Sequence, residues 1–434
     1  MPTRGGRSPT QLGETVRTLV SESSSEDGRV QSGATLHGTR GQGAGRFYLN
    51  VTGFPFPLGP LFARQTVRYE VVPGSIWTFE QEQSLAGINV STTVRMTVVK
   101  LKSGGLWIHA PIAPTRECVE LLEALGAPVE HIVLTTHAYE HKIFVPPFQR
   151  RYGAAQVWVV PRQWSWPVDL HLPLLGIFRA RILAMSSKSG QDVPWADEIE
   201  FENFSESIGI APYSEGAFYH KASKTLMVTD AVVYLPEKPP EVINRAKLLR
   251  AGKDNAFVRL VYGKEPANIP ATEEEQEIIG WHRMALLVLY FAPEKLRVPS
   301  NFDAVSERLL VSPVIQALVF SKVPGPSRAW VDRITERFPF ERVVSGHFAS
   351  PIPASPKDFR VAFEFAYAMR ELPQSEEEAR ALPQPRFQSW FGRLPALPEQ
   401  AKRGLREADL GALQTLDALL RATGGVFRYP NNRE

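Results

Sequence analysis

The residues best suited to chemistry lie in one stretch, His131–Tyr152, with the sequence HIVLTTHAYEHKIFVPPFQRRY. A β-branched run, HIVLTT, predicts a strand, and His137, Glu140 and His141 follow it directly. Imidazole nitrogens and carboxylate oxygens bind zinc and related metals, and they carry protons in hydrolytic sites. Because side chains just past neighbouring strand ends converge on one crevice, this stretch predicts a functional site at a sheet edge.

The same residues spell His-x-x-Glu-His over His137–His141, which is the inverted zinc-protease motif. That motif needs its two histidines one turn apart on a helix. Here they follow directly on a strand, and Pro146 comes five residues after His141, so little helix is available. The strand-end interpretation is therefore favoured.

The 434-residue chain has a globular composition, with 43% hydrophobic and 22% charged residues. A formal net charge of +3 and scattered basic residues argue against nucleic acid as a partner. The single cysteine, Cys118, excludes an intrachain disulfide and a cysteine-rich zinc site, and its apolar neighbours predict a core position. No apolar run reaches the roughly 18 residues of a transmembrane segment, although peripheral membrane association stays open.

Strands and helices alternate along the chain, which predicts an α/β layered fold to position these residues. The predicted strands are Thr66–Val72, Ser75–Phe79, Ser91–Leu101, Gly105–Ala110, His131–Thr136, Gln156–Pro161, Gly216–His220 and Thr225–Asp230. Three parts are expected: a disordered or targeting segment at residues 1–45, a folded domain at 46–370, and a Pro-rich linker with a Leu-spaced C-terminal helix at 371–434.

Other motifs point to packing rather than to chemistry. His220 lies in the alternating strand AFYHK and is expected to be a core or edge histidine. Trp164 and Trp166 are expected to pack under a long loop. The sequence lacks Gly-x-Gly-x-x-Gly, a P-loop and Gly-x-Ser-x-Gly, so it gives no support to nucleotide binding or serine hydrolysis.

Seven ordered blocks between about Arg46 and Ala368 closely resemble the DUF4336 family, in particular its branch from plants and algae. They are PGSIWTFEQEQ, VRMTVVKLKSGGLWIHAPIAPTREC, AYEHKIFVPPFQRRY, VWVVPRQWSWP, AFYHKASKTLMVTDAVVYLP, VSPVIQALVFSKVP and SGHFASPI. That family looks like a relative of the metallo-β-lactamase fold. The resemblance implies a four-layer αββα sandwich, in which two mixed sheets pack face to face with helices outside.

Active members of the wider superfamily carry His-x-His-x-Asp-His directly after a strand. Laid on LTTHAYEH, this motif places Thr136 and Ala138 at its first two histidines. Glu140 then stands at the aspartate and His141 at the last histidine. Two of four ligands are absent, which argues against a two-metal site.

The later ligands of the superfamily match in part. Its bridging aspartate corresponds to Asp230 in LMVTDAV, and its final histidine corresponds to His347 in VVSGHF. Its middle histidine has no counterpart in GIAPYSEGAFYH. The resemblance thus implies that His141, Asp230 and His347 could bind one zinc, iron or manganese ion, with Glu140 as proton carrier beside Asp230.

Two interpretations remain open at this point. The missing histidines favour a degenerate, non-catalytic member of the fold that acts by binding, or as an accessory subunit with an unknown protein partner, and holds no metal. The surviving Asp230 and His347 favour a metal-dependent hydrolase with a single ion. The resemblance and the Arg/Ser-rich start predict a plastid location, with the cytoplasm as the alternative.

Overall fold

The computed structural model describes residues 13–19, 34–41, 45–49, 58–60, 62–85, 89–163, 170–253, 272–291, 293, 296, 299–369, 405 and 407–423. The predicted interaction of Trp164 and Trp166 therefore lies outside the described residues.

The larger sheet has ten strands in the order β1-β2-β4-β5-β6-β7-β8-β9-β10, with β3 paired to β5. Its strands are β1 Gly13–Leu19, β2 Ala34–Arg40, β3 Leu58–Gly59, β4 Thr66–Val72, β5 Ile76–Leu85, β6 Ser91–Lys100, β7 Leu106–His109, β8 Val129–Leu134, β9 Gln156–Val159 and β10 Arg181–Ile182. Neighbouring strands are antiparallel from β1 to β7 and parallel from β7 to β10.

The smaller sheet has five strands in the order β11-β12-β13-β16-β17. Its strands are β11 Ile199–Ser207, β12 Pro212–His220, β13 Thr225–Met227, β16 Arg342–Val344 and β17 Ile352–Pro353. A two-stranded ladder joins β14 (Val233–Tyr234) to β15 (Leu309–Leu310). The pair β13–β16 is parallel, so the chain leaves both strands at the same edge of the sheet.

The helices cover the outer faces of the two sheets and one end of the molecule. They are α1 Arg116–Glu123, α2 Tyr139–Lys142, α3 Val145–Arg151, α4 Arg245–Gly252, α5 Glu273–Tyr290, α6 Pro299–Asp303, α7 Pro313–Leu318, α8 Pro324–Arg337, α9 Pro356–Ala362, α10 Glu364–Ala368 and α11 Gly411–Ala422.

The apolar cores show the order of the layers. One core lies between the sheets and joins Trp107 and Val133 of the larger sheet to Phe218 of the smaller one. A second core packs α1 and α3 on the far face of the larger sheet, and Cys118 is buried there as predicted. A third packs α8 and α9 on the far face of the smaller sheet. This arrangement confirms the αββα sandwich.

Strand β6 contributes apolar side chains to one face of the larger sheet and polar side chains to the other. Val94, Met96 and Val98 alternate along it and join the core beneath the helices. Thr93 and Arg95 lie on the opposite face, and both bond to the loop after β16. The alternating sequence of this strand therefore directs its polar residues towards the second sheet.

Within residues 1–45, for which the sequence predicts disorder, the structure has two strands. Strands β1 and β2 pair along their whole length, and β2 continues the sheet through β4. This part of the segment is ordered because Leu36 of β2 packs with Val67, Tyr69 and Val242. The expectation otherwise falls on residues outside the described ranges.

The predicted C-terminal helix is present as α11. Leu410 and Leu413 are buried in a core that contains Trp281 of α5, and Asp417 forms a buried ion pair with Lys322. The helix thus packs back on the domain, as the leucine spacing predicts. No helix among the described residues has the length and hydropathy needed to cross a bilayer.

Candidate metal centre

Three loops that follow strands bring the predicted residues together. After β8, the chain reaches α2, which carries Glu140 and His141. Asp230 follows β13, and His347 follows the neighbouring parallel strand β16. A bridge between Thr136 and Glu215 ties the end of the larger sheet to β12 of the smaller one, so all three loops meet between the sheets.

Four side chains converge there with ligand atoms aimed at one point. One ligand atom each of Glu140, His141, Asp230 and His347 lies within 4.8 Å of the other three. The Nε2 atoms of His141 and His347 are 3.2 Å apart, and His347 Nε2 is 3.1 Å from Asp230 Oδ1. Ligands that bind one transition-metal ion at about 2.0–2.2 Å lie about 3–3.6 Å from each other. The two distances at His347 Nε2 match this spacing, so His141, Asp230 and His347 fit one ion, with Glu140 beside them.

A backbone contact fixes the orientation of the His347 ring. Its Nδ1–H donates to the carbonyl of Thr93 at 2.6 Å, which leaves Nε2 facing the cluster. Such a bond on the far nitrogen is the usual support for a metal-bound histidine. Without metal, burial opposes charge on His347, but the hydrogen bond and charge of Asp230 outweigh it and raise its pKa. A metal ion therefore competes with a proton for this nitrogen.

His141 is neutral and ready to act as a ligand. It is completely buried, and burial lowers its pKa to about 3. Its Nδ1 is buried without a hydrogen-bond partner among the described residues. Nearby, burial and the charge of Asp230 raise the pKa of the Glu140 carboxyl. Two carboxylates this close repel each other, so a cation between them would relieve an unfavourable interaction.

Asp230 is held by a second buried carboxylate. Oε1 of Glu215 accepts hydrogen bonds from the backbone N–H of Thr229 at 2.6 Å and of Asp230 at 3.0 Å. Although burial raises the pKa of Asp230, the hydrogen bond and charge of His347 outweigh it, so the pKa is lowered. Glu215 thus fixes the backbone of the turn, and Asp230 presents an ionised carboxylate to the cluster.

The loop that carries His347 is anchored by a buried ion pair. Arg95 of β6 donates from Nη1 to the carbonyl of Ser345 at 2.5 Å and also donates from Nη2 to the carbonyl of Phe348. The same guanidinium pairs with Glu80 Oε1 at 2.7 Å, and both side chains are 0% exposed. Arg95 acts on His347 through this loop and is a positioning residue.

The structure separates the other predicted histidines from the cluster. The Nδ1 of His137 accepts a hydrogen bond from the backbone of Ser214 at 3.2 Å, and only His141 of the two histidines lies on α2. The inverted zinc-protease interpretation is therefore wrong. His220 bonds through Nδ1 to Ser223 Oγ at 2.7 Å in the β12–β13 turn, as expected for an edge histidine.

Sequence reasoning missed two buried ionisable side chains that support the site. Arg95 stands alone in the apolar run TTVRMTVV, and Glu215 stands alone in the strand PYSEGAFY. A single charge inside a buried strand must be paired, because an unpaired buried charge is very costly. That rule could have marked both residues as supports of a polar centre, although it could not have named their partners.

Another buried histidine beside the centre gives a pH prediction. Burial, with a smaller effect of His141, lowers the pKa of His109 to about 3. As pH falls below about 6.5, the unfolded chain protonates this residue while the folded chain does not, so His109 costs stability at roughly 1.4 kcal/mol per pH unit. We expect His109→Leu to lose less stability than the wild type as pH falls.

Urea unfolding of both proteins in chelator at about pH 7, 6 and 5 measures this difference. His171→Leu, which removes an exposed histidine, serves as a control for the loss of an imidazole. If the free energy of unfolding of the wild type and of His109→Leu changed with pH in parallel, His109 would take up its proton in the folded state.

A family model described as "Domain of unknown function (DUF4336)" matches residues 73–301 and 298–365. The chain also resembles a metallo-β-lactamase from Pontibacter korlensis, with 11% identity, coverage of 69% of this chain and 99% of that chain, and a TM-score of 0.34. A stereoselective inverting sec-alkylsulfatase from Pseudomonas sp. shares 12% identity, with coverages of 84% and 51% and a TM-score of 0.37. A flavo-di-iron protein variant from Thermotoga maritima shares 9% identity, with coverages of 70% and 62% and a TM-score of 0.37.

These structural similarities are too weak to indicate a function. Curated proteins include no significant sequence match. The residues matched by the family model make up more than half of the chain and include Glu140, His141, Asp230 and His347. The protein therefore belongs to the DUF4336 family.

Proposed function

We propose that this protein binds one divalent metal ion through His141, Asp230 and His347 and acts as a metal-dependent hydrolase. The observation that carries the proposal is the convergence of these ligand atoms, together with one from Glu140, within 4.8 Å. Two imidazoles with carboxylates suit zinc, iron or manganese. A bound ion of this kind polarises a carbonyl or phosphoryl oxygen and lowers the pKa of a water molecule.

The protein residues have separate parts in this proposal. His347 and His141 present Nε2 lone pairs, one fixed by Thr93 and the other kept neutral by burial. Asp230 supplies a negative oxygen. Glu140 has a raised pKa and can hold a proton taken from the attacking water and pass it to the leaving group.

Elemental mass spectrometry of the purified protein tests the metal site. We expect about one zinc, iron or manganese ion per chain in the wild type and none in His141→Ala/His347→Ala, because a site of this kind needs about three protein ligands. His220→Ala is the control, since His220 ends β12 and bonds to Ser223 in the following turn, away from the cluster. Metal that persists in the double variant would contradict the site.

Hydrolysis of generic ester, phosphoester and thioester substrates tests the reaction. Removing a general acid–base group typically costs about 10²–10⁴-fold in rate, so Glu140→Gln should retain metal and lose most turnover. Metal without turnover on any substrate would reject the hydrolase and keep the metal site.

A second candidate is a non-catalytic binding role in a plastid, with a protein partner. It is favoured by Thr136 and Ala138, which stand where active relatives in the superfamily are expected to carry histidines. Thr136 instead bonds to the backbone of Ser214, and its hydroxyl lies 3.5 Å from Asp230 Oδ2. A fluorescent fusion that stays in the cytosol would count against the plastid location.

A further inference from the structure

The segment 170–190 forms the outer edge of the larger sheet on the side of β10, the last strand in its order. Five of the twelve large apolar side chains that are exposed among the described residues lie between Leu170 and Met185. Three of them protrude strongly: Leu174 is 71% exposed, Phe178 is 55% exposed and Ile182 is 61% exposed. Apolar side chains concentrated in this way on a surface mark a site of interaction.

The protruding side chains belong to a firmly held backbone. Ile177 and Leu183 are each 1% exposed and lie in the cores on the two faces of the sheet. Gln149 bonds to both backbone groups of Phe178, at 2.6 Å and 3.0 Å. Gln191 donates to the carbonyl of Ile182 at 2.8 Å. These backbone contacts therefore hold Phe178 and Ile182 in positions where their side chains are exposed.

The charged side chains of the segment are all positive. It contains Arg179, Arg181 and Lys188 and no aspartate or glutamate, although the whole chain has 46 acidic residues. None of these cations forms an ion pair with a carboxylate of the described residues. Arg181 packs over the ring of Trp158, with 5.3 Å between its guanidinium carbon and the ring centroid, and remains exposed. The surface thus combines apolar side chains with three cations that form no ion pair within the described part of the chain.

This combination matches the interfacial layer of a membrane. Apolar side chains enter the boundary between headgroups and acyl chains, while cations near an anionic surface are attracted to the lipid phosphates. Side chains that protrude singly can enter fluid lipid without a matching shape. A protein partner, by contrast, would need pockets of the same spacing.

We propose that the segment 170–190 is a docking surface for an anionic lipid membrane. Leu174, Phe178 and Ile182 insert among the headgroups, and the three cations contact the lipid phosphates. This role is independent of the metal centre.

Cosedimentation of the full chain with lipid vesicles tests the proposal. We expect binding to phosphatidylcholine vesicles that contain about 30% phosphatidylglycerol, and at least tenfold weaker binding to phosphatidylcholine alone or in about 0.5 M salt. Phe178→Asp/Ile182→Asp should lose binding at least tenfold. The charge variant Arg179→Glu/Lys188→Glu should also lose binding at least tenfold, although it leaves the apolar side chains unchanged.

A matched control lies on α9, where Lys357 and Val361 supply one exposed cation and one apolar side chain that is 57% exposed. Lys357→Glu/Val361→Asp should bind as the wild type does. Absent binding, equal binding to neutral vesicles, or undiminished binding by the charge variant would overturn the proposal. A lipid-free dimer in sedimentation velocity that Phe178→Asp/Ile182→Asp dissolves would also overturn it and assign the surface to a second copy of the chain.

Discussion

Replacing Arg95 with methionine is expected to lower the free energy of unfolding by about 3–5 kcal/mol, because it removes the ion-pair partner of the buried Glu80. Both side chains of this pair are 0% exposed. The substitution also removes the donors that hold the carbonyls of Ser345 and Phe348 on either side of His347. We therefore expect metal affinity to fall about 10–100-fold as well, as is usual when a supporting contact of a ligand is lost. Urea unfolding and competition with a metal-sensitive dye measure the two effects.

Two further variants separate the ion pair from the positioning role. Glu80→Met/Arg95→Met removes both buried charges, so it should recover part of the lost stability but not the metal affinity. Arg151→Met breaks a pair with Glu123 in which both side chains are 50% exposed, and it should cost less than about 1 kcal/mol. Full recovery of metal affinity in the double variant would mean that Arg95 only stabilises the fold.

Periodicity in the sequence located several strands and helices of the fold. The predicted strands Thr66–Val72 and Ser91–Leu101 correspond to β4 and β6. The sequence Glu273–Leu289, which starts acidic and turns apolar as is typical of a helix, corresponds to α5 with one residue added. These elements were readable because each has a long apolar pattern with a clear start, such as the capping box of Thr272 and Glu275. Local sequence was sufficient to predict an element wherever one face of that element packs on a core.

Contacts between distant parts of the chain could not be predicted from local sequence. Arg95 contacts residues about 250 positions later, and no local pattern specifies such a pairing. The strands β1 and β2 were missed for a related reason, since they are short runs within a Gly- and Ser-rich segment and join the sheet through the pairing of β2 with β4. The cluster of Glu140, His141, Asp230 and His347 was proposed only through the family resemblance, and its convergence is a property of the folded sheets.

Removing the metal from the loaded protein is expected to lower its free energy of unfolding by about 4 kcal/mol when the free ion had been about 1,000-fold above its dissociation constant. The ligands come from three loops on two sheets, so the site does not exist in the unfolded chain. Thermal and urea unfolding with zinc, iron(II) or manganese, before and after chelator, measure the difference. Asp230→Asn should show almost no response to chelator, because it loses the ligand that neutralises the ion's charge.

His220→Ala should respond to chelator as the wild type does, because among the described residues the side chain of His220 bonds only to Ser223 in the β12–β13 turn. This matched histidine variant rules out metal bound at random imidazoles on the surface. An unchanged wild-type unfolding curve with all three ions would contradict the metal site, and the buried His347–Asp230 pair would then be a purely structural contact. A stabilised protein without any turnover would instead favour the non-catalytic role, since metal binding alone would explain why the four residues face one another.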